Sequence, residues 1–252
     1  MTLTDHDAVE VRAAAAGGAV KRDYVRRIFS EIAPSYDLLN HLLSFNIDRR
    51  WRARALEALG WSREPTGTYL DVCAGTLDVS AQLHATPGFR GRVLAADFAE
   101  PMLRAGMRKA AGVPISPVVA DALALPLDDG SVDGAIVAFG IRNVASLDAC
   151  LQEVARVLRP GARFVILEFS TPASRIVRGF YHLYFHHVLP LVGRLVSGHR
   201  TAYTYLPESV KHFPVGDELG RRMRQAGFSR VSWQPLTFGI AAIHVGEQSS
   251  AL

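Results

Sequence analysis

At 252 residues the chain can bury a sizeable core, and it fits one α/β domain or one domain with an appended cap. Hydrophobic residues make up 49% of it and its mean hydropathy is +0.12, which points to a large core or an exposed apolar surface. The formal charge is only +4, arginine supplies nearly all the cations and no run of five like charges occurs, so composition gives nucleic acid little support and is at least as compatible with a basic, apolar face that rests on anionic lipid.

The first twenty residues are rich in Ala and Gly and lack a contiguous apolar core, so they read as a flexible tail rather than a signal peptide. From 21 to 60 the spacing of Tyr24, Ile28 and Ile32, then Trp51, Leu56 and Leu59, predicts a helical cap. Pro34 breaks it inside Ala33-Pro-Ser-Tyr-Asp-Leu-Leu-Asn40, which gathers Tyr36, Asp37 and Asn40, and Ser35 or Asp37 would serve equally well as a helix cap. The basic patch Asp48-Arg-Arg-Trp-Arg52 reads as a solvated helix face with Trp51 as its anchor. Gly60 to Thr68 is the linker into a sheet.

Strands are predicted at 68–72, 92–97, 115–120, 132–139 and 163–169, alternating with helices, the last of these helices spanning 147–158 before the Arg159-Pro-Gly161 stop. Such alternation argues for a parallel sheet covered on both faces. Residues 175 to 212 read as an inserted lid. Within it, 175–197 is apolar and aromatic, but three Arg, three His and a proline argue against a bilayer span. A helix over 216–225 and strand-like runs at 231–236 and 239–246 then complete a seven-stranded mixed sheet with a terminal antiparallel hairpin, and 21–252 reads as one domain. Cys73 and Cys150 lack metal-ligand spacing, so they are expected to be reduced thiols of a cytoplasmic protein, and no metal site is expected.

The candidate site lies where the strands end. Tyr69-Leu-Asp-Val-Cys-Ala-Gly-Thr-Leu-Asp-Val-Ser80 is a strand, a small-residue turn and a helix start, and acids close three successive strands as Asp71, Asp97 and Asp121. The backbone near Gly75 would pack against a nucleoside, Asp97 would accept both ribose hydroxyls, and Asp121, with Ala122 beside it, would accept from an adenine amino group. No Lys-Ser/Thr pair is present, and acids beside a pyrophosphate would repel it. S-adenosylmethionine, with a sulfonium and no phosphate, is the nucleoside that such a pocket favours.

These residues also carry a family resemblance. The chain resembles the C-methyltransferases of menaquinone and ubiquinone biosynthesis from about Val25 to Gly246. The likeness rests on Phe29-Ser-Glu-Ile-Ala-Pro-Ser-Tyr-Asp-Leu-Leu-Asn40, Asp48-Arg-Arg-Trp51, Asp71-Val-Cys-Ala-Gly-Thr76 and Ala138-Phe-Gly-Ile-Arg-Asn-Val144. It continues in Arg156-Val-Leu-Arg-Pro-Gly161, Leu167-Glu-Phe-Ser170, Tyr203-Thr-Tyr-Leu-Pro-Glu-Ser209, Phe213-Pro214 and Gly239-Ile-Ala-Ala-Ile-His244. One departure stands out: the family turn resembles D-x-x-x-G-T-G-D, and Leu77 replaces its last glycine, so that position is expected to be helical or the cofactor pocket altered.

The resemblance implies a Rossmann-like methyltransferase sheet that binds S-adenosylmethionine through Asp71, Gly75, Thr76, Asp78, Asp97, Asp121 and Ala122. It implies methylation of a ring carbon of a polyprenylated quinol, foremost demethylmenaquinol, with the benzoquinol of ubiquinone synthesis or a non-catalytic binding subunit as alternatives. Arg142 would then stabilise the phenolate while Asn143 and Tyr36 orient the hydroxyl or a water. Asp37, Asn40, His182, His186 and His187 are weaker candidates. The expected partners are the quinol, the inner face of a membrane contacted peripherally and a second copy in a homodimer, with no nucleic acid.

Overall fold

In a computed structural model of the chain, residues 18–33, 36, 44, 46–172, 174–183, 200–214 and 216–249 are described, the side chains of 19, 180–182, 200–204 and 206 excepted. Seven strands form one sheet, β1 Thr68–Val72, β2 Arg92–Asp97, β3 Ile115–Val119, β4 Val132–Ala138, β5 Leu158–Phe169, β6 Phe228–Leu236 and β7 Ala241–Gln248. Their order across the sheet is β3-β2-β1-β4-β5-β7-β6. The first five run parallel, and β7 lies antiparallel between β5 and β6. The sheet is the mixed, mostly parallel one that the strand pattern predicts.

The helices are α1 Gly18–Ile32, α2 Ile47–Leu59, α3 Asp78–His84, α4 Glu100–Ala110, α5 Leu147–Val157, α6 Arg175–Leu183, α7 Arg200–His212 and α8 Asp217–Gln225. Both faces of the sheet are covered. Leu70, Val72, Ala135, Val137, Phe164 and Ile166 turn toward α5 and α8, while Tyr69, Ile136, Val165 and Leu167 turn toward α2, α3 and α4. This alternation is the two-residue period of a strand, and it is invisible as hydropathy because both faces are apolar.

Three expectations change. The predicted cap of residues 21 to 60 divides by role, because Trp51, Ala55, Leu56 and Leu59 bury α2 against the sheet and leave α1 as the cap. The helix stops before Arg159-Pro-Gly161 as expected, but β5, expected from 163, already begins at Leu158 and takes that sequence in: Gly161 has φ +79 and the chain re-registers against β4 between Val132 and Gly134. Finally, no helix joins β3 to β4. There α5 clamps the irregular chain instead, with Glu153 accepting from the Leu125 amide at 2.7 Å and Arg156 donating to the Leu127 carbonyl at 2.8 Å. Of the predicted lid, α6 and α7 are described and 184–199 lie outside the described residues, as does the tail up to 17.

The strand order fixes where a ligand can enter. The chain steps outward from β1 to β2 and β3, then crosses to β4 on the other side of β1, so the loops after β1 and β4 part and leave a crevice. At its base the two loops nearly touch: a Cβ on Gly140 would stand 2.4 Å from the Cβ of Cys73. On the far side, a Cβ on Gly106 of α4 would lie 2.3 Å from the Thr76 carbonyl oxygen. Gly106→Ala is therefore expected to push α4 off the turn and cost about 1–3 kcal/mol, read as a lower urea midpoint with an unchanged slope.

Candidate active site

Asp71 ends β1 pointing inward. It is 1% exposed, and its Oδ2 accepts from the Ser80 amide at 3.1 Å and from the Ser80 hydroxyl at 2.6 Å. The acid thus ties β1 to the first turn of α3 and does not border the crevice. Burial lifts its pKa from 3.8 to about 7, with the two Ser80 hydrogen bonds opposing. Thr76 is likewise buried at 3%. Asp78 faces away from the crevice, accepting from Arg52 at 2.8 Å and from Lys109 at 2.6 Å. Arg52, inside the patch expected to be solvated, is 7% exposed and pairs with Asp48 at 2.9 Å, while Arg49 and Arg50 are solvated as expected.

Leu77 is not helical. It caps α3 in the left-handed region at φ 69, ψ 21, the backbone that a glycine would adopt freely. Its side chain is 0% exposed in the core between α2, α3 and α4 and leaves the crevice wall untouched. Burying a leucine offsets a left-handed backbone that costs about 1–2 kcal/mol.

The crevice encloses about 690 Å³, its mouth included, and brings together Gly75, Asp97, Asp121, Ala122, Asn143 and Tyr36 of the predicted residues. The two Asp97 carboxylate oxygens accept from the Gly75 amide at 2.9 Å and the Ala99 amide at 2.8 Å. Burial raises its pKa against those two bonds. Each oxygen keeps a second lone pair, so a vicinal diol still finds two acceptors. Asp121 accepts from the Leu123 amide at 3.0 Å and pairs with Arg22 of α1 at 3.2 Å, which draws the cap across the mouth. A second tie runs from the Gly18 amide to the Ala145 carbonyl at 3.1 Å. Tyr36 stacks tilted on Phe29 with centroids 5.9 Å apart.

Beyond β4, Phe139 takes φ 60 and a 3-10 turn carries Ile141–Asn143. Asn143 faces the crevice, and its Oδ1 is buried with no hydrogen-bond partner among the described residues. Arg142 does not border the crevice. Its guanidinium donates to Glu168 at 2.7 Å, to the Phe139 carbonyl and to the Ser209 hydroxyl at 3.3 Å, and stacks 5.5 Å from the Phe169 ring centroid. Burial and then the nearby Arg142 charge pull the Lys21 amine down to about 8, against Glu168. Burial holds the Tyr205 phenol well above its usual value.

Sequence reasoning missed Glu168 and Arg22. Glu168 carried a visible signal, an acid near the carboxyl end of β5, whereas Arg22 meets Asp121 only through the placement of α1. Asp37, Asn40, His186, His187 and the His182 side chain lie outside the described residues.

A doubly covered sheet with a crevice at its switch point and a carboxylate at the end of the second strand is the build that S-adenosylmethionine-dependent methyltransferases share. Solved structures share the fold. A SAM-dependent methyltransferase from Thermotoga maritima superposes with TM-score 0.60 at 18% identity, over 89% of this chain and 100% of that one. The 4+2 cyclase SpnF reaches 0.60 at 13% identity over 81% of each chain, so the sheet alone does not name a reaction.

The sequence is more specific: residues 18–248 match the model of the ubiE/COQ5 methyltransferase family, and the chain belongs to that family. It is 49% identical to the demethylmenaquinone methyltransferase of Thermus thermophilus, over 88% of this chain and all of that one. It is 45% identical to that of Deinococcus radiodurans over 90% and 94%. Against the ubiquinone/menaquinone biosynthesis C-methyltransferase UbiE of Geobacter sulfurreducens the identity is 44%, over 90% of each.

Two outcomes follow from the turn after β1. Between pH 3.8 and about 7 folded Asp71 keeps a proton that the unfolded chain releases, so its contribution to stability falls as pH rises, by up to about 1.4 kcal/mol per pH unit. Asp71→Asn removes that titration. In urea melts its stability is expected to gain on the wild type from pH 4 to 7 and to run parallel above. Leu77→Gly relieves backbone strain but vacates a fully buried site, where truncating leucine costs about 2–5 kcal/mol. It is expected to destabilise the fold while leaving S-adenosylmethionine affinity, measured by calorimetry, within about twofold.

Proposed function

We propose that this enzyme methylates a ring carbon of demethylmenaquinol, with Asp97, Asp121, Ala122 and the Gly75 backbone holding the donor nucleoside. The observation that carries the reading is the polarity of the crevice. Asp97 and Asp121 stand at its β2–β3 end, Asp121 paired with Arg22, while the Phe139 ring and the Asn143 side-chain oxygen, which has no hydrogen-bond partner among the described residues, stand at its β4 end; Phe29, Tyr36 and Phe98 supply further rings. A cationic nucleoside suits the first end and a flat aromatic diol the second. The donor, when bound, supplies an electrophilic sulfonium methyl.

A quinol ring carbon attacks only after the neighbouring hydroxyl has lost its proton and charge has spread onto carbon. Asn143 Oδ1 is placed to accept from that hydroxyl or from a water that takes its proton, and Tyr36 closes the opposite wall. Arg142 acts from behind. Clamped by Glu168, its fixed cation favours the phenolate without itself taking a proton. The new C–C bond forms as the methyl–sulfur bond breaks; the ring carbon then gives up its proton to water, the oxygen takes one back and aromaticity returns with a neutral quinol.

The 49% identity to the relative of Thermus thermophilus named for demethylmenaquinone, against 44% to the Geobacter sulfurreducens relative named for both quinones, supports the naphthoquinol over the benzoquinol. A membrane-bound acceptor also suits α6. None of the described helices is long and apolar enough to cross a membrane, yet α6 exposes Ile176 and Leu183 beside Arg175 and Arg178, the make-up of a helix that rests on anionic lipid.

The test is mass analysis of extracted, chemically reduced acceptors after incubation with methyl-labelled donor. Label on demethylmenaquinol supports the reading, label on the benzoquinol alone moves the substrate, and donor binding without transfer leaves a binding subunit. Asn143→Ala is expected to lower kcat by roughly a hundredfold with donor affinity within twofold. Wild-type turnover in that variant would remove Asn143 from the chemistry.

A further inference from the structure

Two features of the loop between β6 and β7 are unexplained by donor binding or by the fold. Phe238 is 83% exposed, and both it and Thr237 hold left-handed backbone, at φ 57 and φ 45. Neither property helps the free chain, since the ring hides from no water and non-glycine residues avoid that backbone. Strained residues persist where a surrounding structure holds them, and here the hold is specific. Thr237 accepts a 2.8 Å hydrogen bond from the Trp51 indole, and Ile240, three residues on, accepts from the Ser170 amide at 2.9 Å.

The loop is thereby fastened to a row of rings. Trp51 lies 6.0 Å from Phe139 and 6.5 Å from Phe169, and Phe139 and Phe169 lie 4.8 Å apart. Phe139, Phe169 and Ile240 are only half buried. Phe139 borders the crevice, so the row starts at the proposed acceptor end and runs along the carboxyl edge of β4 and β5 to the β6–β7 loop.

We propose that this strip, Phe139 and Phe169 leading to Phe238, seats the first isoprenoid units of the acceptor tail, with Phe238 as the residue that selects for a prenylated ring. The proposal rests on the quinol reading above. An isoprenoid is apolar, branched and without hydrogen-bonding groups; the strip presents apolar rings that begin at the crevice with Phe139, and the one cation beside them, Arg142 over Phe169, is held by Glu168. The occupant restores to Phe238 the contact that the free chain denies it.

The test compares detergent-dispersed prenylated demethylmenaquinol with the same naphthoquinol ring lacking a tail, on wild type, Phe238→Ser and Phe238→Leu. Phe238→Ser is expected to raise KM for the prenylated acceptor roughly tenfold, with kcat held, and to leave KM for the tail-less ring within about twofold. Phe238→Leu should recover most of the loss. Equal changes for both acceptors would mark a structural loop, and no change would empty the strip. A loss confined to binding of phosphatidylglycerol vesicles would make Phe238 a lipid contact, and each of these three results overturns the proposal. If the wild type methylates neither ring, it is the quinol reading itself that fails.

Discussion

The close approach of the loops after β1 and β4 is the constraint on which the site depends. Their backbones come so near that position 140 excludes even a methyl group, and Cys73 and Phe139 beside it both adopt left-handed backbone. Leu77, two residues past Gly75 in the same turn, is a third non-glycine residue in a costly conformation, its side chain packed in the core. Strain of this kind persists only where packing over-determines it, and here the packing is the sheet itself, with β1 parallel to both β2 and β4. The crevice is therefore built before any ligand arrives, and Gly75, Asp97 and Asn143 meet across it without a large rearrangement.

Ion pairs fix the geometry around that floor. Arg52 bridges Asp48 and Asp78, and Lys109 bridges Asp78 and the Thr76 carbonyl, so α2, α3 and α4 are tied to the turn that carries Gly75. On the other flank Glu168 holds Arg142, with Ser209 of α7 as a further acceptor. Buried pairs of this sort add little net stability because desolvation cancels most of the attraction, but a lone partner left behind costs about 3–5 kcal/mol. They specify one arrangement. Arg142 is thus a poor residue to truncate when chemistry is the question, since Glu168 would remain buried and unpaired.

Much of this was legible before any coordinates. The strand limits of β1 and β2 and the acids Asp97 and Asp121 followed from apolar runs closed by a carboxylate, and the coordinates put both acids in the crevice wall. Asp71 looked the same in sequence and does something else, because an acid at a strand end can point along the crevice or back into the following helix. Only the position of Ser80 decides that, and it depends on a turn whose Leu77 departs from the expected glycine. The role of α2 was hidden for a related reason: a basic patch reads as solvated unless Asp48 and Asp78 are known to flank Arg52. The coordinates likewise place Arg142 behind the wall and Asn143 in it.

The polarity of the crevice and the direction of the reaction then support one another. Methyl transfer removes a positive charge from sulfur and a negative one from the acceptor, so both ends of the cleft go from charged to neutral. On the proposed assignment, Asp97 and Asp121 would stabilise the sulfonium before transfer, and the Arg142 guanidinium behind Asn143 would stabilise the phenolate. Neither helps the neutral products as much. The pocket that collects the reactants thus has reduced hold on what it makes, and hydrophobic contact along the aromatic edge becomes the main attraction left to the quinol. That contact is shared with any lipid surface on which the product can rest. Release toward lipid then costs less than release into water, and if α6 rests on anionic lipid as proposed, its Ile176 and Leu183 beside Arg175 and Arg178 would use that difference.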